Sequence, residues 1–205
     1  RYNMTITNNS YSAVEGDCSY SGVYDFYAQA LDETEQQYPT VQHVFAAGND
    51  GGLNCSPYPA GFGTIPGGYQ PAKNTLCVTS TDKFYKNAWD GSRGPVLDGR
   101  MKPDMAANGV NVFSTIDYTS YEVASGTSMA SPQVAGALGL LTQQYRRLHG
   151  AVNPRGDVLK AIVMNGTTDI GNPGPDYRFG FGMLNTYRSL QILNNNRYTT
   201  NTIIN

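Results

Sequence analysis

A chain of 205 residues, 40% hydrophobic and only 15% charged, is long enough to bury one substantial core and too apolar for a disordered tail. Its formal net charge of -2, with no basic run, excludes the electrostatic footprint of a nucleic-acid binder. The longest apolar stretch, residues 134–141, is interrupted by Gly136 and Gly139 and is too short to cross a bilayer.

No signal peptide opens the sequence, and residues 1–7 read as a strand entering a core. We therefore expect a chain that begins inside a larger protein. Residues 4–9 are the first predicted strand. After a loop, Tyr24, Tyr27, Leu31, Thr34 and Tyr38 recur at helical spacing until Pro39 stops the helix. A second strand is expected over residues 41–47. Strand, helix and strand in this order form a βαβ unit, which implies parallel pairing and a right-handed crossover. Residues 50–73 are rich in Gly, Pro and Asn and read as a long ordered surface loop.

Residues 76–80 and 110–115 are two further β-rich runs, and residues 121–124 form an extended lead into Ser125-Gly126-Thr127-Ser128. A long helix follows, with Val134, Leu138, Leu141, Tyr145 and Leu148 spaced 4, 3, 4, 3, the stripe of a helix built for burial. Pro132 falls near its first turn, where few backbone donors have helical partners. Asn153 as cap and Pro154 at the first position predict another helix, running to Asn165 and meeting Gly166 at its end. A last helix is expected over residues 183–193. The class is α/β, with helices on both faces of a mostly parallel sheet. Residues 1–193 are expected to be one domain, and the polar residues 194–205 an extension or linker.

Gly126-Thr127-Ser128-Met129-Ala130-Ser131-Pro132 sets a serine where an extended segment meets a buried helix. N–H groups at a helix N-terminus carry positive potential and can hold an oxyanion forming beside a serine oxygen. Taken alone, Ser128 would read as an N-cap.

The heptapeptide, extended through Gln133-Val134-Ala135-Gly136, resembles the nucleophile motif of the subtilisin-like serine peptidases, the subtilases. Val44-Phe45-Ala46-Ala47-Gly48-Asn49-Asp50-Gly51 is similar to the family's strand ending in the oxyanion asparagine, which would be Asn49. Asn8-Asn9-Ser10-Tyr11-Ser12 resembles the segment whose backbone pairs with substrate, with Ser12 where the family usually has glycine. The runs Ser92-Arg93-Gly94-Pro95, Asp98 through Asp104, and Asp169 through Gly182 complete the resemblance in the family's order. Asn108 stands where an Ala-Pro-Gly pattern would have proline, and a local change of loop is expected there.

The resemblance implies a three-layer subtilisin-like fold, incomplete at its N-terminal side, and serine endopeptidase chemistry. Ser128 would be the nucleophile and Asn49 an oxyanion donor. Asn9, Ser10, Tyr11, Ser12, Ala46, Ala47 and Gly48 would hold an extended protein or peptide substrate. The family's aspartate and histidine motifs precede the segment present here, so the triad base is expected outside residues 1–205 and the chain alone is expected to be inactive. His43 lies within a strand without the histidine motif's context. His149 lies about 30 Å from Ser128 at about 1.5 Å per residue. The N-terminal remainder of the domain is the expected partner, together with self-association through exposed edges. No cofactor is required by this chemistry; structural calcium is known in the family. Asp50, Asn54, Asp169, Asn172 and Asp176 are oxygen-bearing loop residues that could serve calcium, although their spacing equally suits ordinary solvated loops.

Two rival readings remain. An α/β-hydrolase esterase would need a last glycine in G-x-S-x-G, which Gly126 through Ala130 lacks. A non-catalytic module could use the same scaffold to bind peptides. Of the three cysteines, Cys77 reads as core, while Cys18 and Cys55 lie in loop-like surroundings. There a disulfide would accompany export and free thiols a reducing compartment. A secreted, cell-surface or periplasmic location is the expectation. Asn3-Met4-Thr5, Asn8-Asn9-Ser10 and Asn165-Gly166-Thr167 match the glycosylation pattern, which is short enough to arise by chance.

Overall fold

The computed structural model describes residues 4–200 except 87, 89 and 118. The expected strand start at residues 1–3, with the sequon asparagine Asn3, and the last five residues of the expected extension lie outside the described residues. The elements in chain order are β1 (Ile6–Asn9), α1 (Phe26–Gln37), β2 (Gln42–Ala46), β3 (Leu76–Thr81), β4 (Met105–Asn108), β5 (Val112–Thr115), β6 (Tyr121–Ala124), α2 (Thr127–Leu148), α3 (Gly156–Asn165) and α4 (Thr186–Asn194). Among the described residues β1, β2, β3 and β4 form one parallel sheet in that order, and β5 pairs antiparallel with β6. The parallel α/β class is as expected from the alternation of patterns.

The β-branched and aliphatic residues of β2 and β3 alternate between two apolar layers. Val44, Leu76, Val78, Met105 and Ala107 face the buried stripe Val134, Leu138 and Leu141 of α2, with Val158, Leu159, Ile162 and Val163 of α3 and Leu193 of α4 beside them. On the opposite face Phe45 stacks on Tyr69, which meets Tyr27 of α1, and Ala47 and Cys77 pack with Ile65 and Val96. Leu148, the last residue of the expected α2 stripe, is exposed.

Several local expectations need correction. In α1 the aromatic stripe is not the buried one: Tyr27 and Tyr38 are exposed, and Ala28, Asp32 and Glu35 are buried instead. The polar pair is drawn inward because strand starts offer backbone donors. Asp32 accepts from Lys73 N and Asn74 N, and Glu35 accepts from His43 N. Strand β4 escaped the pattern reading because Met105-Ala106-Ala107 is too short and too weakly β-branched to stand out. Asn153 does not cap α3; its side chain accepts from Arg146 Nε at 2.7 Å. The helix begins at Gly156, whose N–H bonds the Pro39 carbonyl at 2.7 Å. Gly166 does end α3, but with φ -79. Its lack of a side chain matters for packing, since a Cβ there would come within 2.1 Å of Ser189 Oγ. Asn108 is the last residue of β4 and pairs with Thr81. Cys18 and Cys55 are joined in a disulfide, and Cys77 is free and buried.

Candidate active site

The site residues collect at the C-terminal ends of the parallel strands, where open α/β sheets place ligand crevices. Gly126 ends the extended lead from β6, and α2 starts at Thr127, so Ser128 is the second residue of the helix and not its cap. Its neighbours Ala130 and Ser131 are buried, and a first turn this deep leaves N–H groups without intrahelical carbonyls aimed at the crevice. Asn49 follows β2 and is itself exposed, while Ala46, Ala47 and Gly48 before it are buried. The tight turn needs Gly48 at φ 97, because a Cβ would run into Pro66 and Ser92.

Asn49 and the helix start are tied directly. Asn49 Oδ1 accepts from Thr127 N at 3.0 Å and from Thr127 Oγ1 at 3.1 Å. With its oxygen so engaged, the amide must present Nδ2 elsewhere. Asn49 Nδ2 and Ser128 N both lie 3.8 Å from the position that a Cβ on Gly126 would occupy. Both nitrogens therefore adjoin Gly126, the residue before the helix start. The Asn49 turn is braced in turn by Ser92, which accepts from Asp50 N through Oγ and donates its own N–H to the Gly48 carbonyl.

The segment Asn9, Ser10, Tyr11 and Ser12 runs past the same crevice. Ser10 Oγ donates to the Ser128 carbonyl at 3.3 Å and lies 3.2 Å from Ser131 Oγ. Gln70 Nε2 bridges the two expected substrate edges by donating to Tyr11 O and Ala46 O, both at 3.0 Å. The link from Thr127 to Asn49 and the bridge made by Gln70 are not expected from the sequence. Thr127 had a signal, its place immediately before the serine; Gln70, in an irregular loop, had none. A cavity of about 480 Å³ lined by Phe62, Met101, Tyr177, Arg178 and Phe179 includes none of these residues.

Neither histidine stands at the serine. His43 Nδ1 meets Thr7 Oγ1 at 2.7 Å, and His149 Nε2 meets Tyr198 Oη at 2.8 Å at the far end of α2. Among the described residues no cluster of three or more His, Cys, Asp or Glu side chains is placed to hold a metal ion. Asp176 instead organises its own loop, accepting from Asn172 N, Arg178 N and Phe179 N. No described helix is long and apolar enough to cross a membrane.

The sequence model of the subtilase family matches residues 1–182. The chain belongs to the subtilase family. Among similar proteins, pyrolysin of Pyrococcus furiosus is 30% identical over 206 residues, covering 87% of this chain and 14% of pyrolysin. Thermitase of Thermoactinomyces vulgaris is 34% identical over 149 residues, covering 72% of this chain and 43% of thermitase. A C5a peptidase of Streptococcus pyogenes is 35% identical over 105 residues, 47% of this chain and 9% of that protein. The chain thus spans less than half the length of each of these relatives. Of solved structures, the CspB protease of Clostridium perfringens superposes with TM-score 0.61 at 27% identity, covering 68% of this chain and 31% of CspB. The self-cleaved protease domain of PatA shares the fold, with TM-score 0.72 at 19% identity over 94% of this chain and 63% of the PatA chain.

Proposed function

We propose that this chain is the later portion of a serine endopeptidase domain, residues 1–193, with residues 194–205 leading out of it. Ser128 Oγ attacks the peptide carbonyl carbon while a histidine outside residues 1–205 takes its proton. The carbonyl oxygen becomes an oxyanion held by Asn49 Nδ2 and the Ser128 N–H. The amine leaves with a proton returned by the histidine, and water then hydrolyses the acyl-enzyme by the same relay. An extended substrate lies between Asn9 to Ser12 on one side and Ala46 to Gly48 on the other, adding backbone hydrogen bonds at the edge. The observation that supports the reading is the pair of hydrogen bonds from Thr127 N and Thr127 Oγ1 to Asn49 Oδ1, which leaves the amide nitrogen free to donate to an oxyanion beside Ser128. The chemistry needs no cofactor, and calcium, where present, is structural. The Cys18 to Cys55 disulfide favours an oxidising, extracytoplasmic setting.

Labelling of Ser128 by a serine-directed phosphonylating probe tests the reading, compared between this chain and the same chain joined to its upstream residues. The longer protein should label rapidly and the 205-residue chain hardly at all. Equal rapid labelling would place the base inside the chain. Failure of both, with retained binding of peptide, would favour the non-catalytic peptide-binding module.

A further inference from the structure

Strand β1 and the segment that follows it carry a line of side-chain hydrogen bonds that the reaction above does not use. Thr7, Asn9 and Tyr11 are spaced by two and so share one face of the extended chain, and Thr7 lies opposite His43 in the β1–β2 register. Tyr11 Oη donates to Asn9 Oδ1 at 3.1 Å. Asn9 Nδ2 donates to the Val44 carbonyl at 3.2 Å and to Thr7 Oγ1 at 2.8 Å. Thr7 Oγ1 and His43 Nδ1 are 2.7 Å apart.

The direction of each bond follows from the one group that cannot donate. The Val44 carbonyl accepts only, so Asn9 must turn its NH₂ toward β2 and toward Thr7, which leaves Oδ1 for Tyr11. With Asn9 donating to Thr7 Oγ1, the single hydroxyl proton of Thr7 is free to bond His43 Nδ1. That nitrogen is then an acceptor, and the ring is the neutral tautomer with its proton on Nε2, a buried atom with no partner among the described residues. A second ring proton would sit on Nδ1 and point at Thr7 Oγ1, so the hydroxyl could no longer donate to the ring and would have to turn its proton away. The neighbourhood offers the charged ring little. On α1, Glu35 Oε1 is taken by the backbone N–H of His43; β1 contributes only Thr7 and Asn9; and on β3 burial pushes the Cys77 thiol up to about 12, so it stays neutral.

We propose that Thr7 and His43 are positioning residues for the substrate edge: the line His43–Thr7–Asn9–Tyr11 holds the edge in place only while His43 is neutral, and protonating His43 weakens binding of the acyl side of an extended substrate. This rests on the endopeptidase reading above. Burial already holds the His43 ring below its ordinary value of 6.5, which keeps the line intact at neutral pH.

Two measurements test the proposal. In the ¹⁵N-labelled protein the Asn9 side-chain amide resonances should titrate with the same midpoint as the His43 ring protons. In the complete protease, kcat/KM is measured from about pH 5 to pH 8 for a peptide ester extended on the acyl side and for a single-residue ester. The catalytic base affects both esters alike, so their ratio isolates the edge. The ratio should fall about fivefold in acid, the loss of roughly one hydrogen bond. In His43→Gln it should be independent of pH, and in Thr7→Val it should be low throughout. A ratio that stays flat in the unmutated enzyme, or an Asn9 amide indifferent to His43, overturns the proposal. If neither ester is cleaved, the endopeptidase reading fails, and the Asn9 titration by itself still decides whether the line exists.

Discussion

The side-chain oxygen of Asn49 is held twice by one residue, through the N–H and the hydroxyl of Thr127 at 3.0 and 3.1 Å. The first residue of α2 therefore also sets the orientation of the amide that follows β2. Neither the strand nor the helix could do this alone, since a lone amide at the end of a strand is free to flip.

Replacing Asn49 by Ala in the complete enzyme should lower kcat by about 10² to 10³ and leave KM nearly unchanged. The magnitude is taken from the same replacement in subtilisin, a member of this family. Steady-state kinetics on a peptide ester decide it. A loss confined to KM would instead make Asn49 a ground-state contact.

Thr127→Val keeps the N–H and removes the hydroxyl, so Asn49 Oδ1 retains one of its two anchors. We expect a kcat loss of about fivefold and a fall in melting temperature of about 2–4 °C, each the equivalent of one neutral hydrogen bond. Combining it with Asn49→Ala should add nothing further in kcat, because there is then no amide left to orient. Additive losses would separate the two residues.

The fold was legible wherever local pattern and burial agree. Strand β2 and the α2 stripe through Leu141 follow from pattern, because both bury the residues that the pattern selects. Helix α1 misled for a physical reason: its buried face carries Asp32 and Glu35, whose partners are backbone groups of residues 43, 73 and 74, invisible to any count of apolar positions. The start of α3 was misplaced because Asn153 has a distant competitor for its side chain in Arg146. At the candidate site, Ser128, Asn49 and residues 9–12 are proposed from motif and the structure gathers them at one crevice, but Gln70 acts across 59 residues to Tyr11 and 24 to Ala46. Such bridges depend on how a loop closes, which no local pattern encodes.

Asp104 sits between two ammonium groups, 2.6 Å from Lys102 Nζ and 3.3 Å from Lys160 Nζ, and also accepts from Cys77 N. Burial opposes its ionisation, yet the two lysines overcome this and hold its carboxyl below the usual range. Asp104→Asn removes the shared ion-pair partner of the buried Lys102 and the half-buried Lys160 and should cost about 3–5 kcal/mol of stability. Denaturant unfolding measures it, and a loss below about 1 kcal/mol would mean that solvent reaches the lysines.

Glu35 gives the chain a pH-dependent stability of the opposite sign to that of most carboxylates. Burial pushes it from 4.5 up to about 7, against the hydrogen bond from the His43 N–H. Between these values the folded chain binds more protons than the unfolded one, so stability falls as pH rises. The contribution is complete below pH 4.5 and is lost as pH passes about 7, amounting to about 3 kcal/mol. Melting temperatures across this window should decline for the unmutated protein and decline less for Glu35→Gln. Identical slopes would remove Glu35 as the source.

The disulfide from Cys18 to Cys55 closes a loop with a sequence separation of 37 that contains α1, β2 and Asn49. One end of the bridge lies in the loop after β1 and the other just beyond the Asn49 turn, and Gly16 N reaches Asp50 Oδ2 across the same gap at 3.0 Å. Closing such a loop limits the unfolded chain by about 4 kcal/mol. Both walls of the crevice are thereby tied to one redox-sensitive bond, and a thiol-rich compartment would cut that tie without touching a single residue of the proposed chemistry.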